Sequence, residues 1–162
     1  YAVIRIEGRK IEYIDSGVLR YDKTSEFLDR LGLIYQSIKE ICDKFRPDEV
    51  ALESLIYVKS VTALAKLAQA RGAMIAAISE SCSGRVLEYS PNLVKSSVTG
   101  HGHATKEGVD KSLQIIFGKN LNFKTSDESD ALAVAVCHFL NRGAKSVGSV
   151  KSGGRTLKSV FS

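Results

Sequence analysis

A short run of purely apolar residues, 50–52, lies between two long stretches with helical periodicity. Apolar residues recur at intervals of three and four over residues 25–45 and again over 60–79. A strand without polar alternation is typical of one that is covered on both faces. Since helices on both sides of a sheet provide such cover, the run favours an α/β architecture. A carboxylate, Glu53, follows the run directly.

The other elements are predicted from the same periodicities. The chain opens with an apparent hairpin, and the residues after the second long helix alternate between short apolar runs and helical patterns. The predicted order is two strands, a helix, a strand, a helix, a strand and three helices. This order predicts an α/β fold with a mixed sheet and helices on both faces. The further elements are strands over 1–6, 11–19 and 85–89, and helices that begin at Pro91 and span 105–117 and 126–140.

The length of 162 residues fits one domain, and the net charge of +5 is confined to its end. From residue 142 onward there are five basic residues and no acidic one, whereas the preceding 141 residues carry 18 of each. We expect a globular domain over 1–142 and a basic, Gly/Ser-rich flexible tail over 143–162. The tail is either a contact for nucleic acid or a solvated terminus.

Neither a membrane span nor a disulfide framework is expected. No run of about 18 consecutive apolar residues occurs, and charged residues interrupt the opening where a signal peptide needs an apolar stretch. The three cysteines, Cys42, Cys82 and Cys137, are odd in number and widely spaced. This usage favours a reducing cytoplasmic location over a disulfide scaffold or a zinc pattern.

Three carboxylates form the first candidate site. Glu53 ends the apolar strand, where α/β sheets gather ligands, although a rim glutamate that faces water is equally ordinary. Asp127 and Asp130 are three residues apart at the start of the last helix, so they share a face, although acids in a first turn also simply complement the helix dipole. If the three converge, they suit Mg²⁺, and two such ions activate water and stabilise the leaving oxygen in phosphodiester hydrolysis.

A glycine-containing loop between two lysines forms the second candidate site. Lys95 and Lys106 flank a stretch of glycines and small polar residues. Glycine lets a backbone approach a phosphate closely, and lysines supply the charge. His101 and His103 lie in the same loop, but no Cys or further His stands near enough to suggest zinc. His138 lies within an apolar helix, which predicts a hydrogen-bonded core histidine.

An apolar segment follows Glu53 and contains Ile56 and Tyr57. In a loop beside a candidate active site, Tyr57 has the ring needed to stack on bases or to wedge between them. A loop that tucks its apolar side chains into the core has the same sequence pattern, so both interpretations stay open.

Four ordered blocks of the chain resemble the RuvC family of Holliday-junction resolvases. The resemblance extends to about residue 142. It implies an RNase H-like fold, a homodimer, paired nicking of four-way DNA junctions that depends on two Mg²⁺ ions (with Mn²⁺ as a substitute), and a branch-migration motor complex as a further partner. A helix rich in small residues is suited to a dimer seam, and a two-fold dimer matches the symmetry of a junction. The blocks are residues 50–53, 66–72, 94–106 and 127–133.

The resemblance also assigns roles to individual residues. Glu53 matches the metal-binding glutamate of the family's central strand, and Asp127 and Asp130 match the acidic pair of its last helix. Lys95 and Lys106 match basic residues of its DNA-binding cleft.

Two positions depart from the family pattern. The family tends to have Phe where Ile56 stands, so the wedge role passes to Tyr57. The family's first catalytic aspartate lies on a strand before the position of Tyr1. We therefore expect about ten further residues upstream, enough for one strand and a turn, with an aspartate close to Glu53. Residues 1–162 alone are expected to fold poorly or, if folded, to bind junctions without cutting them.

Two other functions fit the same sequence. One is a module that binds branched DNA without cutting it. The other is a different RNase H-like nuclease that acts on RNA-containing duplexes. Cleavage assays on junction, duplex and hybrid substrates separate the three.

Overall fold

A computed structural model describes residues 1–21, 26–55, 60–82 and 85–142. Its four strands and five helices follow the predicted order. The predictions for Ile56, for Tyr57 and for the tail over 143–162 lie outside the described residues. The elements are β1 (Ala2–Glu7), β2 (Lys10–Ser16), α1 (Phe27–Phe45), β3 (Glu49–Glu53), α2 (Val61–Ser81), β4 (Arg85–Tyr89), α3 (Pro91–Thr99), α4 (Lys106–Phe117) and α5 (Ser126–Asn141).

The four strands form two hydrogen-bonded pairs. Strands β1 and β2 are antiparallel and turn at Gly8, whose φ of 61° is readily adopted by glycine. Strands β3 and β4 are parallel, with Glu53 beside Tyr89. Within the described residues, neither pair is hydrogen-bonded to the other. Residues 50–52 are consequently half-buried rather than fully buried, because no described strand covers the edge of β3 that faces away from β4.

Strand β3 lies between two apolar clusters, as its sequence predicts. Ala51 packs against the main core, which is built largely from α3, α4 and α5. Val50 and Leu52 face the other way, towards a smaller cluster that contains Cys42 of α1 and Ile78 of α2. Helices therefore cover both faces, and the α/β class with helices on both sides is confirmed.

Helix α5 is the central element of the main core. Leu132, Ala133, Val136 and Cys137 are almost completely buried. The helix contacts all four strands as well as α3 and α4. The first turn of this helix is therefore held in a fixed position relative to the end of β3.

Helix α2 bears on the expectation that the chain has no membrane span. By length and composition alone it is apolar enough to cross a membrane, although its apolar residues form no long uninterrupted run. Lys66 and Arg71 interrupt it, and it packs along α1. One such helix is weak evidence for a membrane span, although most of α2 is not buried in the described part of the chain.

Candidate active site

Glu53 lies at the carboxyl end of β3, where the strand ladder stops. The Ser54 amide donates to the Tyr89 carbonyl oxygen at 2.9 Å and extends the pairing with β4 by one residue. Arg71 of α2 donates from Nη1 to the Glu53 carbonyl oxygen at 2.7 Å. Two contacts therefore fix the main chain around Glu53, while the residue as a whole stays exposed.

The electrostatic surroundings of Glu53 include the other candidate residues. Loss of hydration raises the pKa of Glu53, the Asp130 carboxylate raises it further, and Lys95 opposes the rise. Partial burial also raises the pKa of Asp130; Lys106 opposes this rise, and Asp127 adds to it. The structure thus brings Glu53 and the acidic pair of α5 into one electrostatic neighbourhood, with both predicted lysines beside them.

The two lysines come from different helices. Lys95 lies within α3 and is half-buried, whereas Lys106 is the first residue of α4. The Lys106 ammonium donates to the Ser126 hydroxyl at 3.2 Å and lies 3.9 Å from Asp130 Oδ2. Both lysines are therefore placed to offset negative charge at the start of α5.

Glu128 holds the acidic turn of α5 in place. It is only 4% exposed, and it accepts hydrogen bonds from the Lys124 amide at 2.5 Å and from the Ser16 hydroxyl at 3.2 Å. These bonds join the start of α5 to the end of β2. Glu128 lies between Asp127 and Asp130 in sequence but projects from a different face of the helix. A glutamate in the third helical position is a known capping signal, and the sequence does contain that signal.

Asp110 of α4 is a further carboxylate that the sequence did not reveal. Its charge raises the pKa of Asp130, and its Oδ1 atom is buried without a hydrogen-bond partner. An unsatisfied carboxylate oxygen near Asp130, whose pKa is already raised, adds to the negative potential of the site.

The ligand atoms of this site suit a divalent cation, although the side chains that carry them are not gathered around one point in this structure. Carboxylate oxygens are the preferred ligands of Mg²⁺, and carboxylates crowded together with raised pKa values favour a compensating cation. Across residues 1–21, 26–55, 60–82 and 85–142, no three His, Cys, Asp or Glu side chains are already gathered closely enough to hold a metal ion. The candidate residues thus fit a metal site by the type of their ligand atoms and by their charge, but not by the distances between their side chains in this structure.

None of the three histidines is assigned to the candidate metal site. His138 is buried, with Nδ1 2.9 Å from the Tyr89 hydroxyl and Nε2 2.9 Å from Glu49 Oε2, so the prediction of a bonded core histidine is confirmed. His101 and His103 are exposed in the loop after α3. This pair gives no sign of a zinc site within the described residues.

An α/β core with helices on both faces defines a protein of RNase H-like fold, and its candidate site consists of carboxylates at a strand end and a helix start. A sequence model of the family described as crossover junction endodeoxyribonuclease RuvC matches residues 1–138. The chain belongs to the RuvC family.

Relatives and solved structures agree with this assignment. A crossover junction endodeoxyribonuclease RuvC of Christiangramia forsetii is 34% identical over 154 residues, which are 94% of this chain and 79% of the relative. Another, of Geotalea uraniireducens, is 40% identical over 139 residues, 85% of this chain and 80% of the relative. The structure of Thermus thermophilus RuvC is similar with a TM-score of 0.77 and 30% identity, and the same protein in complex with a Holliday junction substrate gives 0.79 and 29%. Each comparison covers 87% of this chain and 86% of the other.

Proposed function

We propose that this chain is an endonuclease that resolves Holliday junctions in recombination and repair, and that Glu53, Asp127 and Asp130 are its catalytic carboxylates. The observation that carries the residue assignment is that the Asp130 carboxylate raises the pKa of Glu53, although the two residues lie on elements far apart in sequence. The reaction class is supported by membership of the RuvC family over residues 1–138.

The three carboxylates are proposed to bind two Mg²⁺ ions, for which Mn²⁺ substitutes. When bound, such ions activate a water molecule and stabilise the leaving oxygen of the phosphodiester. The contribution of the protein is to hold the carboxylates in place. Arg71 and β4 fix the main chain at Glu53, and Glu128 fixes the first turn of α5.

Lys95 and Lys106 are proposed to bind DNA phosphates next to the carboxylates. Their ammonium groups offset part of the carboxylate charge there, which lowers the repulsion that an approaching phosphate meets. Ile56 and Tyr57 are proposed to contact bases at the junction. Their role rests on the resemblance and on their position shortly after Glu53.

Helix α2 is proposed to form the seam of a homodimer. Val61 is 81% exposed and Leu67 45%, and the two alanines between them, Ala63 and Ala65, are also exposed. An apolar helix face of this kind is stabilised when a second copy covers it. We further propose a nuclease domain over 1–142, a flexible tail over 143–162, a cytoplasmic location and engagement by a branch-migration motor complex.

Cleavage of three substrates tests the proposed function. A four-way junction, a linear duplex and an RNA–DNA hybrid are incubated with the full-length protein in Mg²⁺ and in chelator. We expect paired nicks in the junction alone, and only with Mg²⁺. Junction binding without nicks would favour the non-cleaving module, and cleavage of the hybrid would favour the other nuclease class.

A further inference from the structure

Arg71 connects helix α2 to the active-site end of both parallel strands. Its Nη1 atom donates to the Glu53 carbonyl oxygen at 2.7 Å, and its Nη2 atom lies 2.7 Å from Glu88 Oε1 on β4. The Arg71 side chain is only 15% exposed. One guanidinium thus bridges β3 and β4 at the level where Glu53 leaves the ladder.

The chemistry of these contacts makes the bridge a stiff one. A guanidinium is planar and permanently charged, so it offers two donors in a fixed relation to each other. Hydrogen bonds from charged donors are stronger than neutral ones, and partial burial removes competing water. The Nη2 contact with the half-exposed Glu88 is an ion pair without hydrogen-bond geometry. The hydrogen bond to the Glu53 carbonyl is therefore the directional half of the bridge.

The carbonyl that Arg71 holds belongs to Glu53 itself. A change in the peptide plane at this carbonyl rotates the Cα–Cβ direction of the same residue and displaces its carboxylate. Groups that orient a metal ligand without touching the metal commonly affect metal affinity by 10- to 100-fold. Displacements of about 1 Å at a reacting centre cost about 100-fold in rate.

We propose that Arg71 is a positioning residue for the cleavage reaction: by holding the Glu53 carbonyl against β4, it aims the Glu53 carboxylate at the metal site. This inference rests on the proposed role of Glu53 as a metal ligand. Arg71 itself contacts neither metal nor DNA in this role. Its effect therefore appears in metal affinity and in the rate of the bound complex rather than in junction affinity.

The test compares Arg71→Ala and Arg71→Lys with a matched arginine at the other end of the same strand pair. Arg85 is beside Glu49 in the ladder and is 85% exposed, so Arg85→Ala removes an arginine from β4 without touching Glu53. Three quantities are measured: Mn²⁺ binding followed by the electron paramagnetic resonance of the free ion, the single-turnover cleavage rate, and junction affinity in chelator.

For Arg71→Ala we expect weaker Mn²⁺ binding and cleavage slowed by about 10- to 100-fold, with junction affinity within about twofold of the wild type. Arg71→Lys keeps one charged donor and recovers part of both losses. Arg85→Ala behaves as the wild type. Thermal unfolding of each variant shows whether it is folded, and if Arg71→Ala does not fold, the same measurements on Arg71→Lys decide the outcome.

Controls separate this inference from the proposed function. If the wild type fails to nick junctions, or if Glu53→Gln nicks them normally, the proposed function is wrong and the inference falls with it. If both controls behave as expected but folded Arg71 variants bind Mn²⁺ and cleave like the wild type, the inference alone is wrong. An equal loss in Arg85→Ala also overturns it, since a general weakening of β4 then accounts for the effect.

Discussion

Glu49 and Glu53 stand at opposite ends of strand β3, and their surroundings differ sharply. Glu49 Oε2 lies 2.9 Å from His138 Nε2, and its other oxygen lies 3.8 Å from Arg85. Glu53 has a raised pKa, and within the described part of the chain no cation lies within ion-pair distance of its carboxylate. A glutamate with satisfied partners stabilises the fold, whereas one left without them retains the capacity to bind something else.

The largest effect that this comparison predicts is on chemistry at Glu53. In Glu53→Gln the shape is preserved but the charge that a metal requires is lost. We expect cleavage to fall by a factor of about 10³ or more while junction binding persists. Gel shifts and cleavage assays on the same junction measure both. Near-normal cleavage by this variant would remove Glu53 from the proposed site.

The opposite result is expected at Glu49. In Glu49→Ala the buried Nε2 of His138 loses its partner, and an unsatisfied buried polar group costs about 1–3 kcal/mol. The free energy of unfolding, obtained from urea titration, should fall by that amount, while the folded variant still nicks junctions. Glu12→Ala is the control, because its pair with Arg5 is well exposed and should contribute under about 1 kcal/mol. A variant that is as stable as the wild type but inactive would reverse the roles assigned to the two glutamates.

The lysines beside the acidic end give a smaller, graded effect. If Lys95 and Lys106 each contact one phosphate, Lys95→Ala and Lys106→Ala should each reduce the slope of log affinity against log salt by about one unit. Lys39 pairs with Glu80 away from the site, so Lys39→Ala should leave the slope unchanged. Equal slopes for all variants would show that the two lysines serve only to balance the carboxylates.

The smallest effect concerns stability and pH in the absence of metal. Because the pKa values of Glu53 and Asp130 are raised, the folded protein holds their protons more tightly than the unfolded chain. Stability therefore decreases as pH rises from the ordinary carboxyl range through the raised values. In chelator, Asp130→Asn should flatten this dependence and raise Tm at neutral pH by on the order of 1 °C. Asp29→Asn, in the first turn of α1, is the comparison; a Tm change as large there would point to a general charge effect.

Much of the fold was predictable because its signals are local. The apolar residues that predict α1 are three or four positions apart, and the start of α3 is marked by neighbouring residues at Pro91. In the structure, the Ser90 hydroxyl accepts a hydrogen bond from the Leu93 amide there. The β1–β2 hairpin was predicted, but the absence of hydrogen bonds between this pair and the β3–β4 pair within the described residues was not, because it depends on contacts between distant parts of the chain. The exposed edge of β3 follows from that absence.

The residues of the candidate site also fall into those that the sequence revealed and those that only the structure revealed. Glu53, Asp127 and Asp130 stood out because charged residues next to apolar runs are conspicuous. Arg71, Glu128 and Asp110 did not, because their significance lies in main-chain partners and in charges from elements remote in sequence. A side chain that supports another residue has no sequence pattern of its own. The catalytic and DNA-contact roles remain predictions for the experiments above.

The central place of α5 has a consequence for biosynthesis. A ribosome releases the chain from its amino end, and domains generally fold as units. Every described strand is therefore made before the helix that contacts all four of them. The apolar faces of both strand pairs cannot pack against α5 until residues 126–141 have left the exit tunnel. A nascent chain halted before that point exposes unprotected strands, and it is at this stage that protection by a chaperone matters most.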